Sequence, residues 1–245
     1  MIPTTAAAEV PYLTTDQMIE VDRAMIEDYH IDLVRMMENA GRNLAQLARE
    51  RFLGGDPRGR RVVVVAGTGG NGGGTLVAAR RLHNYGAVVS VFVTRPIDEF
   101  TAVPDRQLDL LRRMGLAIRP ADTVESIETL DLVLDGVIGY SLRGAPRGEA
   151  GALIRWMNEQ AAPVLSLDTP SGVDTTTGTV FEPAVRATAT MTLALPKEGL
   201  RAPGVVSHVG ELYLADISVP PELYSRFLGV EVGPIFAQSE ILRLT

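Results

Sequence analysis

The 245-residue sequence contains no cysteine, which excludes disulfides, thiolate metal sites and a cysteine nucleophile. Its three histidines, His30, His83 and His208, lack the spacing of a zinc site. Basic residues are in the minority. Lys and Arg number 23 against 30 Asp and Glu, and the formal charge of -7 offers no basic stripe to a nucleic-acid backbone. No apolar run approaches the roughly 20 residues that a membrane span requires. Met1–Pro11 has no basic segment leading into an apolar core, so a secretory signal is not expected. These absences predict a cytoplasmic chain with neither nucleic-acid nor membrane partners.

What the sequence does have is glycine, concentrated in one place. Six glycines fall within Gly67–Gly74, directly after the β-branched run Val62–Val65 and directly before the helical spacing of Leu76–Leu82. Strand, glycine turn and helix is the arrangement that points backbone N–H groups at an anion. Six glycines cost roughly 0.5–1 kcal/mol each against Ala, more than a plain turn warrants, and predict a ligand loop.

Around this stretch the pattern is α/β. Residues 1–12 are expected to form a loose tail. Thr14 or Thr15 caps a helix with apolar positions Met18, Val21, Met25 and Ile26, and a second helix runs through Leu33, Met36, Met37, Ala40, Leu44, Leu47 and Ala48. Strands are predicted at 62–65, 88–93, 116–118, 130–136, 164–168, 187–195 and 211–215, and helices near 105–114 and 150–160. Alternation of this kind predicts one domain, residues 13–245, with a Rossmann-like, doubly wound and mostly parallel sheet, helices on both faces and an N-terminal helical pair. The apolar face of residues 14–53 is long for a cap on one sheet and predicts a homodimer.

In such a sheet, ligands lie beyond the carboxyl ends of the strands. Four polar clusters fall there: Gly67–Thr75, Asp135–Gly144, Asp168–Asp174 and Pro196-Lys197. Asn71, Asp135 and Ser171 are hard oxygen donors that could converge on an alkali or alkaline-earth cation. Asp135 and Asp168 could equally cap helices or turns, and Lys197 could balance a substrate phosphate or simply be solvated. Gly67-x-Gly69-x-x-Gly72 matches the dinucleotide fingerprint, yet the strand at 88–93 is followed by Thr94-Arg95 in place of the usual acid. An arginine there could meet a 2′-phosphate. No Gly-Lys-Ser/Thr follows the loop, so it is not a P-loop.

Taken together, the motifs resemble the YjeF N-terminal domain family, the NAD(P)H-hydrate epimerases. The resemblance runs from Leu13 to about Pro221. It is carried by Leu13-Thr14-x-x-Gln17-Met18 with Asp22, by Met37–Arg42, by the glycine loop into Leu76–Arg80, by Asp135–Gly144, by Leu167–Asp174, by Leu195-Pro196-Lys197-x-Gly199-Leu200 and by Gly210-Glu211-Leu212. It implies a Rossmann-like dimer that interconverts the R and S forms of hydrated NADH or NADPH with a potassium ion in the site. Asn71, Asp135 and Ser171 would then ligate the potassium. Gly70, Asn71, Gly72, Gly73 and Gly74, with Gly139, Tyr140, Ser141, Leu142, Arg143, Gly144, Ala145 and Asp168, would contact the substrate.

The loop departs from the family's Gly-Pro-Gly-Asn-Asn-Gly-Gly-Asp-Gly at Thr68, Gly70, Gly74 and Thr75, which removes a carboxylate at position 74. Inverting a carbon that bears both a hydroxyl and a ring nitrogen requires proton transfer at oxygen, and one positioned carboxyl group suffices. Asp168 is the candidate; its other reading is a prop for the Thr169–Gly172 turn. An alternative function is a catalytically reduced nucleotide-binding or interaction scaffold of the same fold, and an oxidoreductase ranks third. Retention of Asn71, Asp135, Asp168 and Ser171 favours the enzyme.

Overall fold

The computed structural model describes residues 2–100, 102–124 and 129–245. Among them nine strands form one sheet: β1 (Thr4–Thr5), β2 (Arg61–Ala66), β3 (Val88–Val93), β4 (Ile118–Pro120), β5 (Leu132–Gly136), β6 (Val164–Leu167), β7 (Ala189–Leu193), β8 (Glu211–Ala215) and β9 (Ile241–Leu244). Their order is β1-β9-β8-β7-β6-β5-β2-β3-β4. The described pairings are parallel except β8 with β9. The α/β class and the doubly wound sheet are as the sequence implies.

Among the described residues seven α-helices accompany the sheet: α1 (Thr15–Glu27), α2 (Leu33–Leu47), α3 (Gly70–Asn84), α4 (Ala102–Arg113), α5 (Gly148–Glu159), the single turn α6 (Val206–Val209) and α7 (Pro221–Leu228). The first is fixed by a capping box in which Thr14 Oγ1 accepts from the Gln17 N–H and Gln17 Oε1 accepts from the Thr14 N–H. Asp32 caps α2 by accepting from Arg35 N–H at 2.9 Å. The valines of β2 divide between the two faces. Val62 and Val64 join residues of α2, α3 and α4, whereas Val63 and Val65 join Leu153, Ile154 and Met157 of α5. A strand buried on both sides must be apolar at every position, which is why no alternation is visible in the sequence.

Three expectations need correction. The first residues are not a loose tail: Thr4 and Thr5 pair with Arg243 and Leu244, and Val10 and Leu13 are buried. Leu13 also brackets Lys197, donating to Pro196 O and accepting from Glu198 N–H, each at 2.9 Å. The apolar stripes of α1 and α2, expected to meet a second copy, are consumed within the chain. Met18, Val21, Met25, Met36 and Ala40 pack with Leu214, Leu223 and Tyr224. Ile26 lies off that stripe, 44% exposed. The short strand expected at 116–118 forms at Ile118–Pro120, while α7, β9 and β1 were not anticipated.

Candidate active site

Strand order reverses at β2. The chain leaves it for β3 and β4 on one side and returns to β5 on the other. The segments after β2 and β5 therefore diverge, opening a crevice at the carboxyl ends of these strands. A cleft of about 570 Å³ lies there, lined by Gly69, Gly70 and Asn71, by Val137–Ser141, by Asp168 and Lys197, and by Asp22 and apolar residues of α1 and α2.

The glycines of the loop serve two different ends. A Cβ at Gly67 would lie 2.0 Å from Val137 O, and one at Gly72 would lie 1.8 Å from Gly67 O, so these two permit backbone to pack on backbone. Gly69 has nothing within 4 Å and faces open space. Gly72, Gly73 and Gly74 are buried in the first turns of α3. A Cβ at Gly74 would meet Leu167 Cδ2 at 2.8 Å and Ala40 Cβ at 3.6 Å. Position 74 thus points into the packing between α3, α2 and β6, and it is absent from the cleft lining. The Thr75 hydroxyl donates to Asn71 O at 2.7 Å and fills the space beside Gly136, where a Cβ would lie 2.0 Å away.

Near the end of β5, Asp135 is completely buried and both its carboxylate oxygens are engaged. Ser171 N–H donates at 2.9 Å, Ser171 Oγ at 2.6 Å, Ser166 Oγ at 2.8 Å and Val137 N–H at 3.2 Å. Burial pushes this carboxyl above the usual range, against the pull of those donors. Asn71 Nδ2 donates to Leu167 O at 2.7 Å, and its Oδ1 faces Gly139, where a Cβ would stand 2.5 Å from it. Asp135 and Ser171 therefore touch, and Asn71 sits at the same end of the sheet.

Asp168 follows β6 with φ +66°, in the left-handed region. Its carboxylate does not prop the adjoining turn. Lys197 Nζ donates to it, as well as to Leu193 O at 2.9 Å and towards Thr192 Oγ1 at 3.3 Å. Lys197 is 1% exposed and Asp168 2%. A lysine that the sequence reading left free for phosphate or solvent is instead locked in a buried ion pair. In the same cleft lining, the Tyr140 phenol donates to Asp22 of α1. Burial raises both groups above their usual ranges.

Of the residues expected to contact substrate, Gly70, Asn71, Gly139, Tyr140, Ser141 and Asp168 come together in the cleft wall. Gly72–Gly74 lie behind it, and Leu142, Arg143, Gly144 and Ala145 continue the loop beyond the lining. Arg95, after β3, lines the cleft. Asp22, a motif residue in the sequence, also lines the cleft. Its position on the buried side of an amphipathic helix was the available signal.

A family model described as YjeF-related protein N-terminus matches residues 34–199. The chain belongs to this family. A protein of Dehalogenimonas lykanthroporepellens named NAD(P)H-hydrate epimerase is 45% identical over 95% of this chain and 92% of its own length. An epimerase of the same name from Rhodopirellula baltica is 30% identical, covering 89% of each chain. A bifunctional NAD(P)H-hydrate repair enzyme of Moorella thermoacetica is 34% identical over 86% of this chain, which spans 41% of it. Among solved structures, a yeast protein superposes with a TM-score of 0.81 at 24% identity, covering 96% of this chain and 100% of its own. That likeness carries the YjeF-type fold alone.

Proposed function

We propose that this chain is an NAD(P)H-hydrate epimerase, an isomerase of damaged nicotinamide cofactors. The observation that carries the reading is the buried Asp168–Lys197 pair set into a cleft whose rim is the glycine loop. A dinucleotide needs an anion-compatible rim of backbone N–H groups. An inversion at a hemiaminal carbon needs a proton donor and acceptor within reach of one oxygen. Lys197 Nζ gives its proton to the departing hydroxyl oxygen, and the Asp168 carboxylate paired with it holds that ammonium in place. Asn71, Gly70 and the loop from Gly139 to Ala145 hold the substrate. Apolar side chains of α1 and α2, Met18, Met36 and Met37 among them, keep bulk water from the ring.

Potassium is proposed with this reading. Asp135 is a buried negative charge whose described partners are all neutral, and Asn71 and Ser171 add neutral oxygens, a set that fits a hard monovalent cation. A side chain at Gly139 would collide with the Asn71 carboxamide, so glycine there leaves its oxygen room to turn to an ion. When bound, the ion would neutralise Asp135 and add positive potential beside a cleft that must take up an anionic dinucleotide. If so, potassium raises the melting temperature of the wild type more than that of Asp135→Asn. A cytoplasmic location and a homodimer complete the proposal. The dimer rests on the resemblance, with Ile19, 51% exposed, and Ile26 as apolar residues that α1 leaves outside; light scattering tests it.

The decisive assay follows equilibration of the R and S epimers of hydrated NADH in the presence of an S-specific dehydratase. The wild type is expected to accelerate it, and Asp168→Asn to slow it about 10²–10⁴-fold. A wild type that binds the dinucleotide without accelerating equilibration would refute the epimerase and leave the scaffold reading.

A further inference from the structure

An inversion presents a site with both faces of the reacting ring. On the epimerase reading, on which this inference rests, the hydroxyl leaves from one face and returns to the other. Asp168 and Lys197 form one buried pair at the strand ends of the cleft. The helical side carries a second polar pair, Asp22 from α1 and Tyr140 from the loop after β5, 118 residues apart in sequence and both in the cleft lining.

Anchoring the loop does not account for that pair. The same loop is already held where Ile138 N–H donates to Ser171 Oγ at 2.9 Å, and where Gly139 packs against the Asn71 carboxamide. Met18, Met36 and Met37 share the wall with Asp22. A largely buried carboxylate beside such groups is costly, and carboxylates so placed in clefts are candidates for chemistry. The charged side chains that are neighbours of Asp22 on α1, Glu20, Arg23 and Glu27, pair with one another.

We propose that Tyr140 Oη, supported by Asp22, is a second proton-transfer group of this site and serves the ring face opposite that served by Asp168 and Lys197. On departure, the C–O bond breaks with its electrons going to oxygen. Lys197 supplies the proton that makes water, and the ring-nitrogen lone pair closes a planar C=N⁺. On return, a water oxygen attacks the carbon from the other face and the C=N⁺ electrons revert to nitrogen. The proton of that water passes to Tyr140 Oη as the phenol proton passes to Asp22 Oδ2. Exchange with solvent through the open cleft resets both pairs, and the reverse epimerisation runs the same steps backwards. Tyr140 is catalytic here, and Asp22 is its positioning residue and proton store.

The groups that face Asp22 are Tyr140, Lys197 from the segment after β7, Asp168 after β6, and Tyr224 of α7. Burial and Asp168 oppose its ionised form, whereas the Tyr140 hydrogen bond and Lys197 favour it, and burial prevails. The relay needs Asp22 ionised, so the rate falls with pH through a value above the ordinary carboxylate range.

The experiment compares wild type, Tyr140→Phe and Asp22→Asn in the epimer equilibration assay across pH, with NADP⁺ affinity measured by calorimetry. The expected result is a kcat lower by about 10²-fold or more in both variants, NADP⁺ affinity little changed, and the acid limb of the wild-type profile missing in Asp22→Asn. Tyr140→Phe at the wild-type kcat overturns the proposal. So does a loss of NADP⁺ affinity as large as the loss of rate, which would make the pair a binding element. Asp22→Asn keeps an acceptor for the phenol, so it reads the relay even if Tyr140→Phe fails to fold. A wild type that binds NADP⁺ but leaves the epimers alone refutes the epimerase reading as well, and is told apart by that control.

Discussion

Gly74→Asp restores the carboxylate that the family's loop carries, and the surroundings of position 74 set its effect. The new Cβ would lie 2.8 Å from Leu167 Cδ2 and 3.6 Å from Ala40 Cβ, and Leu167 is fully buried. Leu167 must therefore shift, an overpacking cost of about 1–3 kcal/mol. A carboxylate added among apolar groups costs a further ~1–3 kcal/mol even when it partly neutralises. Leaving glycine inside a helix returns only a few tenths. The net expectation is a loss of about 2–4 kcal/mol, read as a urea midpoint shift or as a fall in melting temperature of roughly 5–15 °C for a chain of this size. Gly74→Ala is the control. Its steric cost is offset by up to ~1 kcal/mol of helix propensity, so it should stay within about 1 kcal/mol of wild type. Combining Gly74→Asp with Leu167→Ala should cost less than the sum, since the two sites share one space. A Gly74→Asp chain as stable as wild type and faster in the epimer assay would refute this placement, because its carboxylate would then be in the cleft.

Lys197→Met leaves Asp168 buried without its cation and should lower stability by about 3–5 kcal/mol at neutral pH. Adding Asp168→Asn to Lys197→Met should recover part of that loss, because the two side chains form one buried pair, and urea titrations of the single and double variants would reveal it; strictly additive losses contradict the pairing. At the surface, Arg51 binds Glu211 through two bonds of 3.0 and 2.8 Å and holds its carboxyl down to about 2 from an ordinary 4.5. The pair therefore stabilises the fold above pH 4.5 and ceases to do so as pH drops towards 2. Arg51→Gln should cost at most about 1 kcal/mol at pH 7, and the difference from wild type should shrink through that window.

Much of this site could be read before any coordinates. Apolar runs ending in Asp135 and just before Asp168 mark strand ends, and the order of strands and helices implies that those ends share an edge. What periodicity does not encode is which side chains meet there. Lys197 reaches Asp168 because Asp168 and Ala194 take left-handed backbone and turn their segments together. Nothing in a lone lysine after a strand announces that. Asp22 and Tyr140 meet only because α1 packs beside the loop after β5. The N-terminal strand was invisible for a simpler reason: two residues, Thr4 and Thr5, are too short for a pattern, and their partner lies at Ile241–Leu244. The glycines misled in part. Their number signalled close approach, but at Gly67 and Gly72–Gly74 what approaches is protein rather than ligand.

The two left-handed residues that flank Lys197 have different futures under selection for thermostability. Ala194, at φ +62°, keeps a methyl group in a conformation that glycine adopts freely, and no polar atom depends on it. Replacement by glycine is open to any screen that rewards heat resistance alone. Asp168, at φ +66°, bears the same backbone penalty, yet its removal strands a buried ammonium. Variants recovered from a heat-only screen should therefore change position 194 and leave 168 untouched. Repeating that screen on a Lys197→Met background would make Asp168 as replaceable as its neighbour, and the order in which the two positions yield would report how tightly chemistry and folding are tied together at this end of the sheet.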